Sequence, residues 1–478
     1  MPVNSLGSLK EEELIDWLKK YLDYSEIIND DFPAKGASSW YPYGYSLITN
    51  ILSLALVLMK KAGFEEIVLP SFVHGEDFMK ECLHIKDFSE RVYWSSLYEE
   101  NDLHVVTPTI EAQLGALYVK WLSSGKTLPF KYFTVRGVGR YETGRTIPLW
   151  KERNVWPFFE GLSAHDSQSD FTITINQQVV FMRSLFDKLG IPTLILERPK
   201  INPRLREYSE RRIEAVTITR DRRVVILANI YDLGEIFSKV YKIYYSVKNK
   251  RHNALISAIG LSGRILAVLL AINGDTEGFV VPPSIAPVKT AIIPIYDKAN
   301  LFEKATRIKN FFEKKGVTSR IFAATASLGD RRKKVRAMGI PFVIEIGPAE
   351  IKTQDVTLKP RVFLTPITAK INKTPSIIRH NSQQLELAIR ENATNDFNFL
   401  NRVVKSKQEF VECAQQEFLT KAFFCDEPLC YDNASQSLKK EIIGRTYDDD
   451  QHSKNKCIIC GKIAVQSLYF GVKWKGEK

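Results

Sequence analysis

The chain has 478 residues, 44% hydrophobic and 26% charged, which suits about three globular domains and excludes a disordered or fibrous protein. Its formal net charge of +12 and pI of about 9.2 favour a polyanionic partner, most often nucleic acid, although a solvated basic surface would give the same values. The N-terminus lacks the apolar core of a secretory signal, and the apolar runs are too short to cross a bilayer. We therefore predict a cytoplasmic protein without membrane attachment.

The first 283 residues mix short strands with few helices, and this mixture predicts an α+β domain. Apolar residues recur at helical spacing from Ser46 to Lys61. The stretch Glu65–Phe72 that follows is predicted to be a short strand closed by Pro70. Several short β-like runs then fill residues 90–165.

Glycines and turn residues divide the rest of this domain. A helix is predicted to end at Gly190 and to be followed by a strand. A hairpin comes next, with Asp221 and Arg222 at its turn, and an apolar helix ends at Gly274. Residues 1–283 are therefore predicted to form one domain.

A second pattern begins after the prolines at 282, 283 and 287. Strands and helices alternate there, which predicts a small α/β domain with a partly parallel sheet over residues 284–375. The remaining residues, 376–478, are predicted to form a third region. It is largely helical up to about residue 423 and ends in short segments between cysteines.

Four of the six cysteines lie in the last 54 residues, as Cys425-x4-Cys430 and Cys457-x2-Cys460. Two thiolate pairs that fold onto each other form a tetrahedral sulfur site, which suits zinc. Free thiols or an iron–sulfur cluster remain alternatives. Four thiolates leave no open position on the metal, so the predicted zinc site is structural.

The stretch GRYETGRT (139–146) is a candidate nucleotide site. Strand alternation would place Arg140 and Glu142 on one face, where arginine could grip a phosphate and glutamate could accept from an exocyclic amine. A solvated cross-strand ion pair would give the same pattern, and the spacing alone favours it.

Other polar residues are candidates for ligand binding, each with a structural alternative. Thr109 and Glu111 would share a strand face and could hold an ammonium group, and Phe158 and Glu160 would share another. Phe158 could equally be a core residue. Arg264 precedes an apolar helix, where it opposes the helix dipole, so it could serve an anion or simply lie at the surface.

In this order and spacing, the segments resemble a class II aminoacyl-tRNA synthetase, and among these a prolyl-tRNA synthetase of the archaeal and eukaryotic type, from about Trp40 to Trp474. GFEEIVLP (63–70) resembles motif 1, and GRYETGRTIPLWKERNVWPFFEG (139–161) resembles motif 2. GLSGRILAVLLAINGDTEGFVVPPSIAPVK (260–289) resembles motif 3, and GIPFVIEIGPAEI (339–351) resembles the signature of the anticodon domain. The resemblance implies an antiparallel-sheet catalytic domain, an α/β anticodon-binding domain and a small zinc-binding C-terminal domain.

The resemblance also implies roles. Arg140 would hold the α-phosphate of ATP and the amino-acid carbonyl, and Glu142 would bind the adenine amine, whereas Arg264 would bind the γ-phosphate. Further residues would complete the ATP and proline sites: Lys151 and Arg153 for ATP, and Thr109, Glu111, Phe158, Glu160 and Ser262 for proline. The implied cofactors are ATP, Mg²⁺ and structural Zn²⁺, and the implied partners are tRNA, expected to be tRNA(Pro), proline and a second copy of the chain.

Several positions depart from the family pattern. Polar or basic family residues are replaced at positions of the pocket and the ATP loop: Thr107, Lys151, Asn154, Leu162, Ile226, Asn229, Tyr231 and Glu235. Ala349 replaces an arginine of the anticodon domain, Trp474 a C-terminal tyrosine, and the charged stretch 202–210 a pocket segment.

Three functional hypotheses follow from these departures. The chain is a prolyl-tRNA synthetase, or it is a paralogue that keeps tRNA or nucleotide binding but has lost aminoacylation. A purely structural or interaction module is the third hypothesis. The basic run 327–336 would lie near the anticodon or form a solvated helix face.

Overall fold

The computed structural model describes residues 10–31, 34–83, 88–96, 103–142, 144–198, 209–296, 299–323, 325–425, 427–448 and 455–474. Thr143 and most of the substituted stretch 202–210 lie outside these residues. The described helices, in chain order, are α1 Glu11–Tyr24, α2 Pro42–Lys61, α3 Gly75–Cys82, α4 Glu111–Ser123, α5 Gln168–Leu189, α6 Ile236–Tyr241, α7 Ile265–Asn273, α8 Ala299–Lys314, α9 Leu328–Ala337, α10 Pro348–Thr353, α11 Thr374–Leu400, α12 Lys407–Gln415 and α13 Pro428–Leu438.

The described strands, in chain order, are β1 Ile28–Asn29, β2 Ser39–Trp40, β3 Glu65–Glu66, β4 Phe72–His74, β5 Tyr93–Ser96, β6 Leu103–Val106, β7 Phe130–Gly139, β8 Asn154–His165, β9 Leu194–Glu197, β10 Arg211–Ile218, β11 Arg223–Gly234, β12 Tyr244–Val247, β13 Lys250–Asn253, β14 Leu255–Leu261, β15 Thr290–Pro294, β16 Ser319–Ile321, β17 Phe342–Ile346, β18 Asp355–Pro360, β19 Ile367–Lys370, β20 Asn401–Val403, β21 Leu419–Phe424, β22 Glu441–Thr446 and β23 Gln466–Lys473.

A mainly antiparallel sheet organises the N-terminal part of the chain. Its central strands run in the order β9-β10-β11-β14-β8-β7, and every neighbouring pair among them is antiparallel. One face of the sheet packs on α2 and α5: Phe133 and Phe159 stack there, and Phe159 stacks in turn on Phe181 of α5. The opposite face carries Phe158 and Glu160, since neighbours on a strand alternate between faces.

The predicted ends of the helices and the predicted hairpin are confirmed. Helix α5 begins where Ser167 Oγ accepts from the backbone N–H of Asp170, at 3.3 Å, and it ends at Gly190 with φ of +66°. Gly274 follows the last residue of α7. Strands β10 and β11 form the hairpin, and Arg222 occupies its turn with a positive φ.

The strand predicted over Glu65–Phe72 is much shorter than expected. Only Glu65–Glu66 forms a strand, paired in parallel with β7, while Phe72 begins a different strand. Pro70 has no backbone N–H to donate to a ladder, and the chain leaves the large sheet before it. The short β-like runs predicted over residues 90–165 are confirmed as β5, β6, β7 and β8.

Helix α2 is longer than the apolar spacing predicts, because it begins at Pro42. With 20 residues it is long and apolar enough to cross a bilayer by length and composition, which corrects the expectation that this segment is too short. Half of its most apolar window is buried inside the protein, and α2 packs against α5. These contacts are those of a core helix.

The middle of the chain forms a five-stranded sheet in the order β16-β15-β17-β18-β19. The pairs β15–β16 and β15–β17 are parallel and the other two are antiparallel, so the prediction of a partly parallel α/β sheet is confirmed. Most cations of the basic run in α9 bind groups of the same chain: Arg332 pairs with Glu345, Lys334 with Glu26 and Arg336 with Glu277.

The C-terminal strands join the large sheet. Its full order is β20-β21-β23-β22-β9-β10-β11-β14-β8-β7-β3, with β22 on β9 and a further parallel pairing of β23 with β11. The prediction that residues up to about 423 are largely helical is confirmed by Thr374–Leu400 and Lys407–Gln415, although Asn401–Val403 and Leu419–Phe424 are strands. Residues 376–478 therefore share a continuous sheet with the N-terminal part of the chain.

Candidate active site

A cavity of about 280 Å³ opens on the face of the sheet opposite α5. Its walls come from β8, β10, β11 and β14, from the start of α7 and from the loop between β7 and β8. The lining residues are Glu111, Arg140, Glu142, Leu149, Trp150, Lys151, Glu152, Val155, Trp156, Phe158, Glu160, Arg212, Ile226, Asn229, Tyr231, Ala258, Ile259, Gly260, Leu261, Ser262, Gly263 and Arg264. Eight of the ten predicted site residues in this half of the chain are among them.

The strand register explains the shape of this cavity. Asn229 lies opposite Gly260, and Gly260 lies opposite Glu160, so the three residues form one row across neighbouring strands. Glycine has no side chain, and a Cβ at position 260 would lie 3.7 Å from Glu160 Cγ. The middle of the row is therefore open, between polar side chains about 10 Å apart, or two strand spacings.

Thr109, Glu111 and Glu160 meet at one end of the cavity. The Thr109 hydroxyl donates to a Glu111 carboxylate oxygen and lies 3.1 Å from Glu160 Oε2, while the backbone N–H of Ile110 donates to the same Glu160 oxygen at 3.0 Å. The prediction that Thr109 and Glu111 share a strand face is wrong, because Glu111 is the first residue of α4. A carboxylate there interacts favourably with the helix dipole.

Burial and the neighbouring carboxylate both act on Glu160. Burial raises the pKa of Glu160 well above its usual range, the nearby Glu111 carboxylate raises it further, and Arg140 counteracts them in part. Glu111 and Glu160 are 6% and 9% exposed. Buried carboxyl groups beside each other attract a cation, because a cation would relieve their repulsion. This end is therefore suited to an ammonium group.

Arg140 lies next to this carboxyl pair. Its Nε donates to the Pro108 carbonyl at 3.0 Å, and its guanidinium stacks over the Phe158 ring at 4.5 Å. The prediction that Arg140 and Glu142 share a strand face is wrong, since β7 ends at Gly139 after a register shift between Arg136 and Val138. Both side chains nevertheless line the cavity.

The loop between β7 and β8 carries a second polar group. Lys151 Nζ lies 3.4 Å from Glu142 Oε2. Arg153 does not line the cavity. Instead, its Nε donates to the Glu142 carbonyl at 2.8 Å and its guanidinium stacks over the Tyr141 ring at 4.7 Å. Arg153 therefore positions the backbone that carries Glu142.

Ser262 and Arg264 form the opposite wall. Arg264 precedes α7, and its backbone N–H donates to Ser262 Oγ at 3.3 Å. Its side-chain Nε donates to the Trp150 carbonyl at 2.8 Å. Trp150 in turn packs against Trp474, with ring centroids 5.2 Å apart, so the C-terminus supports this wall.

Sequence reasoning missed several lining side chains, among them Trp150, Glu152, Trp156 and Arg212. Trp156 stacks on Tyr45 with ring centroids 5.3 Å apart and an interplanar angle of 15°. The alternation in RRIEAVTI places Arg212 and Glu214 on one face and could have identified that pair. The other three lie where the chain is irregular or where β8 begins, and no periodic signal marks them.

Glu152 is held by the N-terminal segment. Ser38 Oγ donates to Glu152 Oε1 at 2.7 Å, and the Gly36 carbonyl accepts from the backbone N–H groups of Arg153 at 2.7 Å and Asn154 at 3.3 Å. Gly36 has φ of +78°, and a Cβ there would lie 2.7 Å from Thr146 Cγ2. Burial raises the pKa of Glu152 to about 7.

This raised pKa predicts a pH-dependent stability. Between pH 4.5 and 7 the folded protein keeps the Glu152 proton and the unfolded chain releases it, so this group's stabilisation is full below pH 4.5 and is lost as the pH rises to about 7. The melting temperature of Glu152→Gln minus that of wild type should increase as the pH rises from 4.5 to about 7, and this difference should stay constant at higher pH. Glu12→Gln, at an exposed position, is the control, and a difference independent of pH would contradict the prediction.

The four C-terminal cysteines form a candidate metal centre. Their sulfur atoms all lie within 4.8 Å of one another, and Cys425 Sγ lies 3.6 Å from Cys430 Sγ and 3.5 Å from Cys460 Sγ. None of the four forms a disulfide. Tetrahedral zinc–thiolate bonds of about 2.3 Å place sulfurs at similar separations, so the cluster fits zinc.

The turn around Cys457 supports this assignment. The Gly461 N–H donates to the Cys457 carbonyl at 2.9 Å, and Gly461 has φ of +73°. Burial acts to raise the pKa of the Cys457 thiol, but hydrogen bonds from backbone amides, that of Cys460 first, outweigh it and lower the pKa to about 7. Amide donors directed at sulfur are suited to a thiolate ligand.

Comparison with known proteins agrees with the fold. A family model described as an anticodon binding domain matches residues 289–381. Two solved prolyl-tRNA synthetases are similar in structure. One, from Giardia lamblia in complex with prolyl-adenylate, has a TM-score of 0.87 and 24% identity over 99% of this chain and 100% of that one. The other, from Cryptosporidium parvum with L-proline and AMP, has a TM-score of 0.84 and 20% identity over 96% and 95%.

The antiparallel sheet with its cavity, followed by an anticodon-binding domain, defines an aminoacyl-tRNA synthetase of class II. Relatives of similar sequence show which synthetases of this class the chain resembles. Proline–tRNA ligases of Sulfurisphaera tokodaii and Thermococcus kodakarensis are 28% and 27% identical to the chain, over 96% and 95% of its length and 97% and 96% of theirs. Over nearly its whole length, the chain is therefore similar to members of the prolyl-tRNA synthetase family.

The structure also locates the departures from the family pattern. Ile226, Asn229 and Tyr231 line the cavity, whereas Glu235 does not and pairs instead with Lys239. Leu162 is fully buried and does not line the cavity. The substitutions thus concentrate on β11, on one side of the cavity.

Proposed function

We propose that this chain is a proline–tRNA ligase, which activates proline with ATP and transfers it to the 3′ end of tRNA. The supporting observation is that one cavity combines a cation-binding end, Glu111 and Glu160, with arginines suited to phosphates, Arg140 and Arg264. Proline carries an ammonium and a carboxylate group, and ATP carries the phosphates. The cavity therefore suits both substrates of the first step.

The chemistry requires positioning rather than a nucleophilic side chain. Glu111, Glu160 and Thr109 would hold the ammonium group of proline, and Arg140 would bring its carboxylate to the α-phosphorus. The carboxylate oxygen forms a bond to phosphorus as the bond to pyrophosphate breaks, and pyrophosphate leaves. Arg140 would stabilise the charge on the α-phosphate.

The other predicted side chains would hold the nucleotide. Glu142 would accept from the adenine amine, with Lys151 and Arg153 fixing its loop, while Arg264 next to Ser262 would bind the γ-phosphate. Phe158 would line the proline pocket. Mg²⁺ neutralises phosphate charge when bound with ATP, and Glu142 and Glu152 are the cavity carboxylates on this side that could ligate it.

The partners follow from the same assignment. The anticodon-binding domain and the net charge of +12 support tRNA as a partner, with tRNA(Pro) expected, in the cytoplasm. Around the motif 1 segment, Val68 is 92% exposed and Phe72 52%. We propose that a second copy of the chain covers these residues in a homodimer, which light scattering would test.

A second candidate is a paralogue that binds nucleotide or tRNA without aminoacylation. The observation that favours it is the substitution of Ile226, Asn229 and Tyr231 on one side of the cavity. Losing one polar group of a ligand-binding set costs about 1–3 kcal/mol.

Proline-dependent exchange of pyrophosphate into ATP separates the two candidates. A ligase should exchange with proline and should charge tRNA(Pro). Absence of exchange with any amino acid, together with retained binding of tRNA, would establish the paralogue instead. Alanine and cysteine serve as the comparison amino acids, since both are small.

A further inference from the structure

We propose that Arg212 is a further anion-binding residue of this site, which holds the groups joined in the adenylate: the amino-acid carboxylate and the α-phosphate. This inference deepens the proposed function and rests on it. Arg212 lines the same cavity as Arg140, Lys151 and Arg264. It comes from β10, on the side of the cavity away from β7.

The strand register directs Arg212 towards the centre of the cavity. It lies opposite Tyr231, in the row beside the one that contains Asn229, Gly260 and Glu160. Its guanidinium reaches into that row, because Nε and NH2 lie 3.2 and 2.9 Å from Asn229 Oδ1. The next position in the row is Gly260, which has no side chain and lines the cavity.

Arg212 belongs to a group of three charged side chains. Glu214 is fully buried and pairs with two arginines, at 2.9 Å from Arg198 Nε and 2.7 Å from Arg212 Nε. Arg212 is the member of these three that lines the cavity, so its guanidinium is the one that an anion in the cavity could reach.

The guanidinium of Arg212 is also held in place before any ligand binds. Asn229 and Glu214 accept from it, and it stacks over the Tyr231 ring at 5.1 Å. A donor fixed in this way needs little reorganisation when charge develops on a substrate. Arg212 also supplies a fork of donors from the strand next to Ile226, whose side chain has no donor.

The test compares Arg212→Gln with Arg211→Gln in proline-dependent exchange. Arg211 is the adjacent arginine of β10. It does not line the cavity, and its NH2 lies 3.5 Å from a carboxylate oxygen of Glu197. We expect Arg212→Gln to lower kcat about 100-fold with both KM values within about threefold, and Arg212→Lys to recover about tenfold. Arg211→Gln should stay within about twofold of wild type.

A second measurement is independent of turnover. The affinity for prolyl-sulfamoyl adenosine, a non-reacting analogue of the adenylate, should fall about tenfold or more in Arg212→Gln and remain unchanged in Arg211→Gln. If wild type shows no exchange but Arg212→Gln still binds the analogue more weakly than Arg211→Gln, the proposed function fails and the role of Arg212 stands. Equal affinities of the two variants would overturn the role of Arg212.

The anion that Arg212 binds could belong to the reacting groups of the adenylate or to the side chain of an acidic amino acid. Exchange measured with different amino acids distinguishes these two sources. If wild type exchanges with aspartate or glutamate and Arg212→Gln loses only that exchange, Arg212 binds a substrate side chain and the inference is overturned. Arg212→Gln would leave the buried Glu214 carboxylate with one cation fewer. If this variant melts much lower than Arg211→Gln, the double variant Arg212→Gln/Glu214→Gln, which removes that carboxylate as well, is used in its place.

Discussion

Arg140→Ala is expected to reduce proline-dependent pyrophosphate exchange by about 1,000-fold or more. Arg140 lies between the Glu111–Glu160 carboxyl pair and the Glu142 loop, so it is placed where an amino acid and a nucleotide would meet. Loss of a single donor to a developing oxyanion costs about 10²–10³ in rate, and Arg140 supplies a full charge in addition. Steady-state exchange with proline and ATP varied separately measures the effect.

The controls come from the same segment. Arg145→Ala, at an exposed position five residues further along, should exchange within about twofold of wild type. Arg140→Lys keeps the charge but loses the fork of donors, so an intermediate loss of about 10–100-fold is expected. If Arg140→Ala retained a tenth of wild-type exchange with an unchanged melting temperature, Arg140 would not hold the reacting groups.

Local features of the sequence predicted the elements well. Gly190 and Gly274 follow the helices that they were predicted to end, and the hairpin turn lies at Arg222. Such signals depend on the conformation of one residue and its neighbours, so they do not require the tertiary structure.

The period-2 alternation of the sequence predicted the wrong secondary structure for residues at both ends of the candidate site. Two residues at i and i+2 look the same in a strand and in the turn that starts a helix, and so Thr109 and Glu111 were placed on a strand. The strand that was predicted to carry Arg140 ends one residue before it, at Gly139, after a register shift in its pairing with β8. The resemblance to a family, rather than the alternation, decided that these residues are site residues.

Long-range pairing could not be predicted from the sequence. Strand β22 pairs with β9 although Arg445 and Glu197 are far apart in the chain. Arg212 was missed for a similar reason, since its role depends on the glycine at 260, two strands away in the sheet. Only the register brings those positions into one cavity.

The continuity of the sheet leads to the second large prediction, which concerns the metal centre. Removing zinc, by chelation or by Cys457→Ser, is expected to lower the free energy of unfolding by roughly 4 kcal/mol or more. For a domain of about 150–250 residues that unfolds cooperatively, such a loss lowers the melting temperature by about 10 °C. Metal analysis and calorimetry of the same preparations measure both quantities.

The effect of zinc loss should extend beyond the C-terminal region. Cys425 directly follows β21, and β21 pairs with β23, which ends beside Trp474. Trp474 packs on Trp150, whose carbonyl accepts from Arg264 in the wall of the cavity. Loosening β23 should therefore weaken the contact that positions Arg264, and the KM for ATP should rise in Cys457→Ser.

Cys413→Ser is the matched control for this prediction, because Cys413 lies outside the four-cysteine cluster. It should keep one zinc per chain, the wild-type melting temperature and the wild-type KM for ATP. A metal-free chain that melts like wild type would show that the four thiols need no ion. If zinc loss lowered the melting temperature but left the KM for ATP unchanged, the metal would stabilise only its own region, and Trp474 would not transmit its state to the cavity.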